Sequence, residues 1–234
     1  YNKCIMKKIA VFKQGVLEEL PLQLGVFPFG IIYGIMAIES GLTPIQAFLM
    51  SSIIFGGASQ IAFVQLISSA TPLGVVVTTV SAINSRHFLY SISMMEYLKN
   101  LSLKWRIVLS YLLTDEAYAV SIRRFINEPS TSFLHFHLLG TGITLFLSWQ
   151  ISTLIGVLVG GDLPQFLDLQ FIIPLTFIAI IVPMIKSIST FFVVIASAFS
   201  GLILKSLDIN FWIVISGMIG VVIGLISSKL DKKR

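Results

Sequence analysis

Three clusters of polar residues interrupt apolar stretches of this 234-residue chain. They are Phe55-Gly56-Gly57-Ala58-Ser59-Gln60, Asn84-Ser85-Arg86-His87 and Thr114-Asp115-Glu116. Hydroxyl and amide groups can hydrogen-bond a small ligand, and a guanidinium group can bind a carboxylate. Imidazole and carboxyl groups can carry a proton. Together these residue types are suited to binding a small charged molecule.

The composition shows where these clusters must lie. Only 12% of the residues are charged and 56% are hydrophobic, whereas soluble domains carry about 25% charged residues. The chain is therefore predicted to be an all-α polytopic membrane protein in contact with the lipid bilayer. This excludes soluble enzymes and nucleic-acid binders. The net charge of +5 is explained by basic residues at the cytoplasmic ends of helices, without a nucleic-acid partner.

Charge-free intervals divide the chain, because a spanning helix needs about 20 mostly apolar residues. Seven segments are predicted: 15–38, 43–70, 72–95, 129–161, 169–185, 187–204 and 209–228. Thr43-Pro44 and Thr71-Pro72 are typical of helix starts, with Thr as N-cap and Pro at the first helical position. Residues 107–122 form an eighth segment, which is either shielded by protein or re-entrant because it contains Asp115 and Glu116.

Basic residues predict the orientation of the chain. They lie near both ends, so both termini are expected in the cytoplasm and the protein in the cytoplasmic membrane. If the segments 72–95 and 107–122 are broken or re-entrant, every cluster of basic residues lies on the cytoplasmic side of the membrane. The expected organisation is a cytoplasmic segment 1–14, of which 1–5 precede a natural start at Met6, a single transmembrane domain 15–228 and a basic cytoplasmic tail 229–234.

The second cluster carries the strongest functional signal. A charge in the middle of a membrane costs at least about 2.5–3.5 kcal/mol. On a continuous helix Asn84 and His87 would share one face, while Arg86 and Tyr90 would lie roughly opposite. Such a helix is either enclosed by protein or broken near Asn84, as in transporter cores that bind substrate at unwound segments. In the alternative interpretation, Arg86 reaches a lipid headgroup or pairs with a structural acid.

The first cluster combines flexibility with hydrogen-bonding groups. Gly56 and Gly57 weaken the helix and permit close backbone approach, so that Ser59 and Gln60 could bind a ligand. Small residues also simply pack helices together in membranes, but Gln60 adds an amide that packing does not require.

The third cluster places two carboxylates side by side. They project about 100° apart on a helix and need not face one site. We expect Asp115 to pair with Arg86 and Glu116 to take up and release a coupling proton, with His87 as the next candidate. The alternatives are a purely structural salt bridge with Arg86 or a solvated loop end.

Other polar residues are assigned no chemistry. Glu18, Glu19, His135 and His137 are expected at the membrane interface. The sequence contains no phosphate-binding loop, metal motif or G-x-S-x-G elbow, so we expect no cofactor, no metal and no enzyme activity.

The clusters also resemble the motifs of a known family. Leu42-Thr43-Pro44 with the first cluster is similar to "GLSP…FAGASQ" of the AzlC family, residues 84–90 resemble its "NLRHLLYG", and Leu113-Thr114-Asp115-Glu116-Ala117 matches its "LTDEA". The resemblance covers about residues 15–125. Gly56 stands where Ala is common, and Ser91 where Gly is common.

The resemblance implies the large subunit of a branched-chain amino acid exporter that works beside a small membrane protein of the AzlD family. It also implies ion-gradient coupling without a cofactor. Arg86 would then bind the substrate carboxylate, Asp115 or Glu116 the ammonium group or a proton, and the remaining polar residues the backbone groups of the substrate: Ser59, Gln60, Asn84 and Tyr90. The main alternative is a membrane scaffold or assembly subunit with structural polar clusters, and an intramembrane hydrolase is a distant third.

Overall fold

The computed structural model describes residues 2–128, 133–160, 178, 182, 185 and 187–231. Within these residues the chain is helical, without strands. The helices are α1 (Asn2–Glu19), α2 (Gln23–Glu39), α3 (Pro44–Ile54), α4 (Gly57–Ser68), α5 (Leu73–Asn84), α6 (Arg86–Leu98), α7 (Leu103–Leu112), α8 (Asp115–Asn127), α9 (Leu134–Val159), α10 (Ile188–Ser206) and α11 (Trp212–Asp231).

Among the described residues, three helical stretches are long and apolar enough to cross a membrane: Ile5–Glu39, Leu134–Val159 and Ile188–Ser206. The predicted segment 169–185 lies almost wholly outside the described residues, as does the end of the basic tail. The contacts divide the chain into two compact units. One comprises Tyr1–Val64 and Asn84–Asp162, and the other Gln65–Ile83 and Leu163–Arg234. In the second unit α10 packs against α11, with a hydrogen bond of 2.7 Å between the Ser189 and Ser227 hydroxyls.

The segment predicted at 43–70 is not one continuous helix. Thr43 caps α3 as expected: its hydroxyl accepts from the Gln46 N–H, the Gln46 side chain accepts from the Thr43 N–H, and Pro44 follows at the first helical position. However, α3 ends at Ile54 and α4 begins at Gly57. The segment predicted at 72–95 is likewise interrupted at Ser85, and 107–122 is divided at residues 113–114.

Helix α9 is the centre of the first unit, where it packs against α1, α2, α3, α7 and α8. Glycines bring the backbones of α1, α2 and α9 into direct contact. A Cβ atom on Gly34 would lie 2.5 Å from the Thr153 carbonyl oxygen, and one on Gly140 would collide with the Phe12 carbonyl. Gly140, near the start of α9, lies against Phe12 of α1, and Gly160, just after the end of α9, lies against Ile38 of α2. Helix α9 therefore runs parallel to α1–α2.

Helices α7 and α8 form a hairpin along α9. Trp105, near the start of α7, packs on the rings of His135 and Phe136, and Leu112, at its end, packs against Gly142. The chain then returns, because the hydroxyl of Ser121 in α8 contacts that of Thr141 at 3.1 Å. Both ends of this hairpin therefore lie at the N-terminal end of α9, as a re-entrant segment requires.

Helix α3 approaches from the opposite end of α9. Its Ser51 hydroxyl contacts that of Thr153 at 3.1 Å, and four residues later the Phe55 ring packs on Phe146, 5.1 Å between centroids. The chain then turns back in the first turns of α4, where the Gln60 amide lies beside the Tyr33 hydroxyl. That hydroxyl donates to the Ala47 carbonyl, in the first turn of α3, at 2.8 Å.

Basic side chains mark one end of the first unit. The Lys8 ammonium lies 5.0 Å from the centroid of the Phe133 ring, at the start of α9. Lys99, Lys104 and Arg106 belong to the connection from α6 to α7 and the first turn of α7, which lies at the same end. We call this the basic end.

The packing makes a prediction for two glycines of the same helix. Gly34→Ala would press a methyl group against backbone atoms of α9, with the nearest at 2.5 Å, and overpacking of this kind costs roughly 1–3 kcal/mol. We expect a lower Tm in detergent, measured by thermal unfolding. Gly25→Ala is the matched control, since a Cβ atom there meets nothing within 4 Å. Equal Tm values for the two variants would show that α2 and α9 are not in backbone contact.

Candidate functional site

The tips of the two hairpins meet halfway along α9. The Phe55 ring lies 5.9 Å from Tyr111 and 5.1 Å from Phe146, and Tyr111 lies 5.9 Å from Phe146. The Tyr111 hydroxyl also donates to the carbonyl of Ser52. These three rings, the aromatic triangle, hold the interruption at residues 55–56 next to the one at residues 113–114.

The interruption between α3 and α4 depends on Gly56. Phe55 adopts a left-handed conformation with φ of 36°, which is unfavourable for a residue with a Cβ atom. A Cβ atom on Gly56 would lie 2.9 Å from the Ser59 hydroxyl and 3.1 Å from Asn84 Oδ1. Asn84 therefore lies beside the first cluster.

Ser59 and Gln60 are both completely buried behind this interruption. The Ser59 hydroxyl donates to the Gly56 carbonyl at 2.7 Å and so secures the first turn of α4. Gln60 has buried amide atoms that make no hydrogen bond, although they lie beside the Tyr33 hydroxyl. A buried unsatisfied amide is costly, roughly 1–3 kcal/mol per group.

Arg86 and Asp115 form an ion pair between the first residues of α6 and α8. The distance from Arg86 Nη2 to Asp115 Oδ2 is 2.7 Å, so the pairing expected from the sequence is present. The Tyr90 hydroxyl donates to Asp115 Oδ1 at 2.5 Å. About a third of each charged side chain is exposed, 33% and 34%, so another anion can reach the guanidinium group.

Tyrosines keep α6 and α8 parallel beyond this ion pair. The Tyr90 ring stacks on Tyr118 with centroids 4.5 Å apart, and the Tyr118 hydroxyl donates to the Ser93 hydroxyl at 2.9 Å. One further ring contact joins Tyr97 to Phe125 at 5.3 Å. The geometry of Arg86 and Asp115 is thus fixed by their helices.

Several buried polar atoms near the three interruptions have no hydrogen-bond partner within the described structure. They are the Gln60 amide atoms, Asn84 Oδ1, Arg86 Nε, His87 Nε2 and Thr114 Oγ1. Native interiors leave only a few such atoms per hundred residues. This concentration of donors and acceptors is suited to a small polar ligand.

Glu116 follows Asp115 in the first turn of α8 and interacts electrostatically with Asp115 and Arg86. It also acts on Glu19 at the end of α1. The interfacial position expected for Glu19 is wrong: its side chain is 0% exposed, and it lies in the interior beside the third cluster. The spacing in the sequence could have indicated this position, because Val11, Gly15 and Glu19 recur every four residues and share one face of a helix. The structure buries all three residues.

A second polar group was also missed. His137 is 0% exposed rather than interfacial, and its Nε2 lies 3.0 Å from Glu18 Oε2. Arg124 bridges Glu18 and Glu128 at 3.4 and 2.9 Å. This network, the Glu18 network, fastens α1, α8 and α9 together near the basic end.

Among the residues that the structure describes, no group of three or more His, Cys, Asp and Glu side chains could hold a metal ion. The side chains at the three interruptions provide ionic and hydrogen-bonding groups. All the residues selected from the sequence lie at or near these interruptions.

Comparison with known proteins identifies relatives. Residues 21–163 match the sequence model of the family described as AzlC protein. An uncharacterized membrane protein of Archaeoglobus fulgidus is 29% identical over 77% of this chain and 79% of its own length. Inner membrane protein YgaZ of Escherichia coli is 27% identical over 67% of this chain and 64% of its own length. The branched-chain amino acid transport protein AzlC of Bacillus subtilis is 26% identical over 65% of this chain and 59% of its own length. No solved structure matches the chain significantly.

The family match covers more than half of the chain and includes all three helix interruptions. The chain spans less than two thirds of the length of the Escherichia coli and Bacillus subtilis relatives. This helical membrane protein belongs to the AzlC family.

Proposed function

We propose that this protein is a secondary active transporter that exports branched-chain amino acids across the cytoplasmic membrane. The observation that carries the proposal is the accessible Arg86–Asp115 pair, with a 2.7 Å contact, at the meeting point of interrupted helices. A charged pair is expensive inside a membrane, and interrupted helices are used by transporters to bind substrates at mid-depth.

The site has the groups that a zwitterion with an apolar tail requires. Arg86 can bind the substrate carboxylate bidentately in place of Asp115. The carboxylates of Asp115 and Glu116 can receive the ammonium group. The amides of Gln60 and Asn84 can complete the hydrogen bonds of these two groups, with the Ser59 and Tyr90 hydroxyls beside them.

The apolar part of the substrate has a place beside the same groups. The aromatic triangle lies at the tips of both hairpins and offers an apolar surface for a branched side chain. The printed name of the Bacillus subtilis relative, a branched-chain amino acid transport protein, supports this substrate class. The family resemblance adds ion-gradient coupling, through Asp115, Glu116 or His87, and a small AzlD-like membrane subunit as partner.

Alternating access follows from the opposite entry of the hairpins. The α7–α8 hairpin enters from the basic end, and α3 with the first turns of α4 enters from the other end. Displacement of one tip would open the site to one side of the membrane only. The positive-inside rule places the basic end in the cytoplasm.

A topology with eight membrane segments accommodates these observations. The two hairpins return to the side from which they enter. The crossings are then α1–α2, α5–α6, α9, α10 and α11. Together with one crossing predicted from the sequence at 169–185, outside the described residues, this leaves both termini in the cytoplasm. In this arrangement the segment 43–70 turns back, whereas the sequence suggested that 72–95 would do so.

Single cysteines test this topology in a Cys4→Ser background. Glu39→Cys and Ser69→Cys flank the α3–α4 hairpin and are expected to react with a membrane-impermeant maleimide in intact cells. Asn100→Cys, between α6 and α7, is expected to react only after permeabilisation. Labelling of Asn100→Cys in intact cells, or protection of Ser69→Cys, would contradict the arrangement.

Arg86→Lys tests the transport site. Lysine keeps the charge but cannot reproduce the planar, bidentate geometry of guanidinium. Losing one charge-assisted hydrogen bond costs about 1.5–3 kcal/mol, so we expect leucine export from loaded cells to fall at least about tenfold at unchanged expression.

The control for this substitution is Arg123→Lys, on the exposed side of α8, which should export normally. Normal export by Arg86→Lys would remove the bidentate role. Failure of Arg86→Lys to accumulate in the membrane would favour the scaffold interpretation instead.

A further inference from the structure

Glu19 is a completely buried carboxylate that the transport site described above does not use. Its Oε1 accepts a hydrogen bond from Gln23 Nε2 at 3.1 Å, but its Oε2 has no partner. Gln23 Oε1, one helical turn further on, is also buried without a partner. Two buried acceptor oxygens, one helical turn apart at the junction of α1 and α2, therefore have no donor within the described structure, and a proton on Glu19 or a cationic group would supply one.

Glu116 approaches the same place from α8. Its carboxylate interacts electrostatically with Glu19, while the nearby positive charge of Arg86 is engaged by Asp115 at 2.7 Å. Like charges that interact in a low-dielectric interior disfavour one another, so a proton or a cationic group bound at either carboxylate is stabilised by the other. In the part of the chain that the structure describes, neither Glu19 nor Glu116 forms an ion pair with a basic side chain, so the pair is left needing one added positive charge.

The charged and titratable groups around the pair leave this requirement in place. Those that face α1 from α8 and α9 are already in ion pairs or hydrogen bonds with one another. Arg124 and His137 both contact Glu18. Glu128 pairs with Arg124, and Asp115 pairs with Arg86.

We propose that Glu19 and Glu116 form a site for a single cation, occupied in turn by a proton and by the ammonium group of the substrate. The inference rests on the proposed transport function and adds its coupling step. When the substrate carboxylate binds Arg86, its ammonium group lies within reach of Glu116. The ammonium then replaces the shared proton, which leaves to water on the side to which the site is open.

Competition for one site produces exchange. A proton and a substrate molecule cannot occupy the pair together, so the carrier crosses with one or the other. Proton entry down its gradient then drives amino acid export. Because linkage is reciprocal, protons must weaken substrate binding to the same extent as substrate weakens proton binding.

The first experiment uses the wild-type protein together with the proposed small membrane subunit, purified in lipid nanodiscs in lightly buffered, sodium-free solution with a pH-indicator dye. Leucine addition should release about one proton for each leucine bound, and the apparent Kd should rise by up to about tenfold for each unit of falling pH in the range where the pair titrates. Binding without proton release, or a Kd independent of pH, overturns the proposal. A requirement for sodium also overturns it.

The second experiment compares Glu19→Gln with Glu39→Gln, an exposed glutamate in the last turn of α2. In proteoliposomes, Glu19→Gln should retain leucine–leucine exchange but lose accumulation driven by a proton gradient, and its proton release should fall severalfold. Glu39→Gln should behave as wild type. Gradient-driven accumulation that survives in Glu19→Gln overturns the inference.

The two proposals fail in different ways. If wild-type vesicles neither bind nor exchange leucine, the transport function itself is wrong, and the cation site with it. If wild-type vesicles exchange leucine without proton release, only the cation site is wrong. If Glu19→Gln fails to fold, proton release is compared between the wild type and Glu19→Asp, which keeps the carboxylate. Release by both proteins supports the site, and release by neither overturns it.

Discussion

A backbone that stops being helical inside a membrane must hide its free N–H and C=O groups from lipid, and most of the first unit is organised around this constraint. Helical hydrogen bonding is interrupted at residues 55–56, at Ser85 and at residues 113–114. Each unpaired group exposed to hydrocarbon would cost several kcal/mol. The protein places the two hairpin tips against the middle of α9, where the aromatic triangle covers them.

Shielding of this kind needs close helix packing, which the glycines supply. Lipid tails are as apolar as leucine, so helices in a membrane associate through packing and hydrogen bonds rather than through the hydrophobic effect. Gly34 and Gly140 let α2 and α1 touch the backbone of α9. The resulting three-helix scaffold leaves the other faces of α9 to the hairpins. The same scaffold buries Glu19, because α1 carries it on the face that packs into the interior.

The sequence could reveal which residues form the site because membrane insertion makes polar residues conspicuous. Arg86, Asp115 and the glycines around residue 56 stand out against apolar neighbours, and the Thr43-Pro44 start follows from local capping chemistry. Hydropathy does not show whether an apolar segment crosses the membrane or turns back to the side from which it enters. A hairpin and a crossing have the same composition, so the sequence predicts a weakened helix at Gly56 and Gly57 but not that the chain turns back there.

Glu19 escaped prediction for a related reason. Glu19 borders a charge-free interval of the sequence, and a charged residue at such a boundary is expected at the membrane interface. The contact of His137 with Glu18 at 3.0 Å could not be predicted either, because it joins residues more than a hundred positions apart. Only tertiary packing shows that these charges satisfy one another, whereas the charge of Glu19 is left without a basic partner in the described structure.

The contrast between two kinds of contact suggests which parts of the first unit move. Backbone contacts through glycine cannot slide without collision, so α1, α2 and α9 act as one body. The contacts of α3 with α9 are made instead by hydroxyl and amide side chains, such as Ser51 with Thr153 and Ser52 with Gln150 at 2.9 Å. Such hydrogen bonds can be exchanged one for another at little cost. Of the two hairpins, α3 therefore has the exchangeable contacts that the proposed alternating access requires, whereas α7 approaches α9 closely where Leu112 meets Gly142. The ion pair of Arg86 and Asp115 lies at the point where both hairpins end.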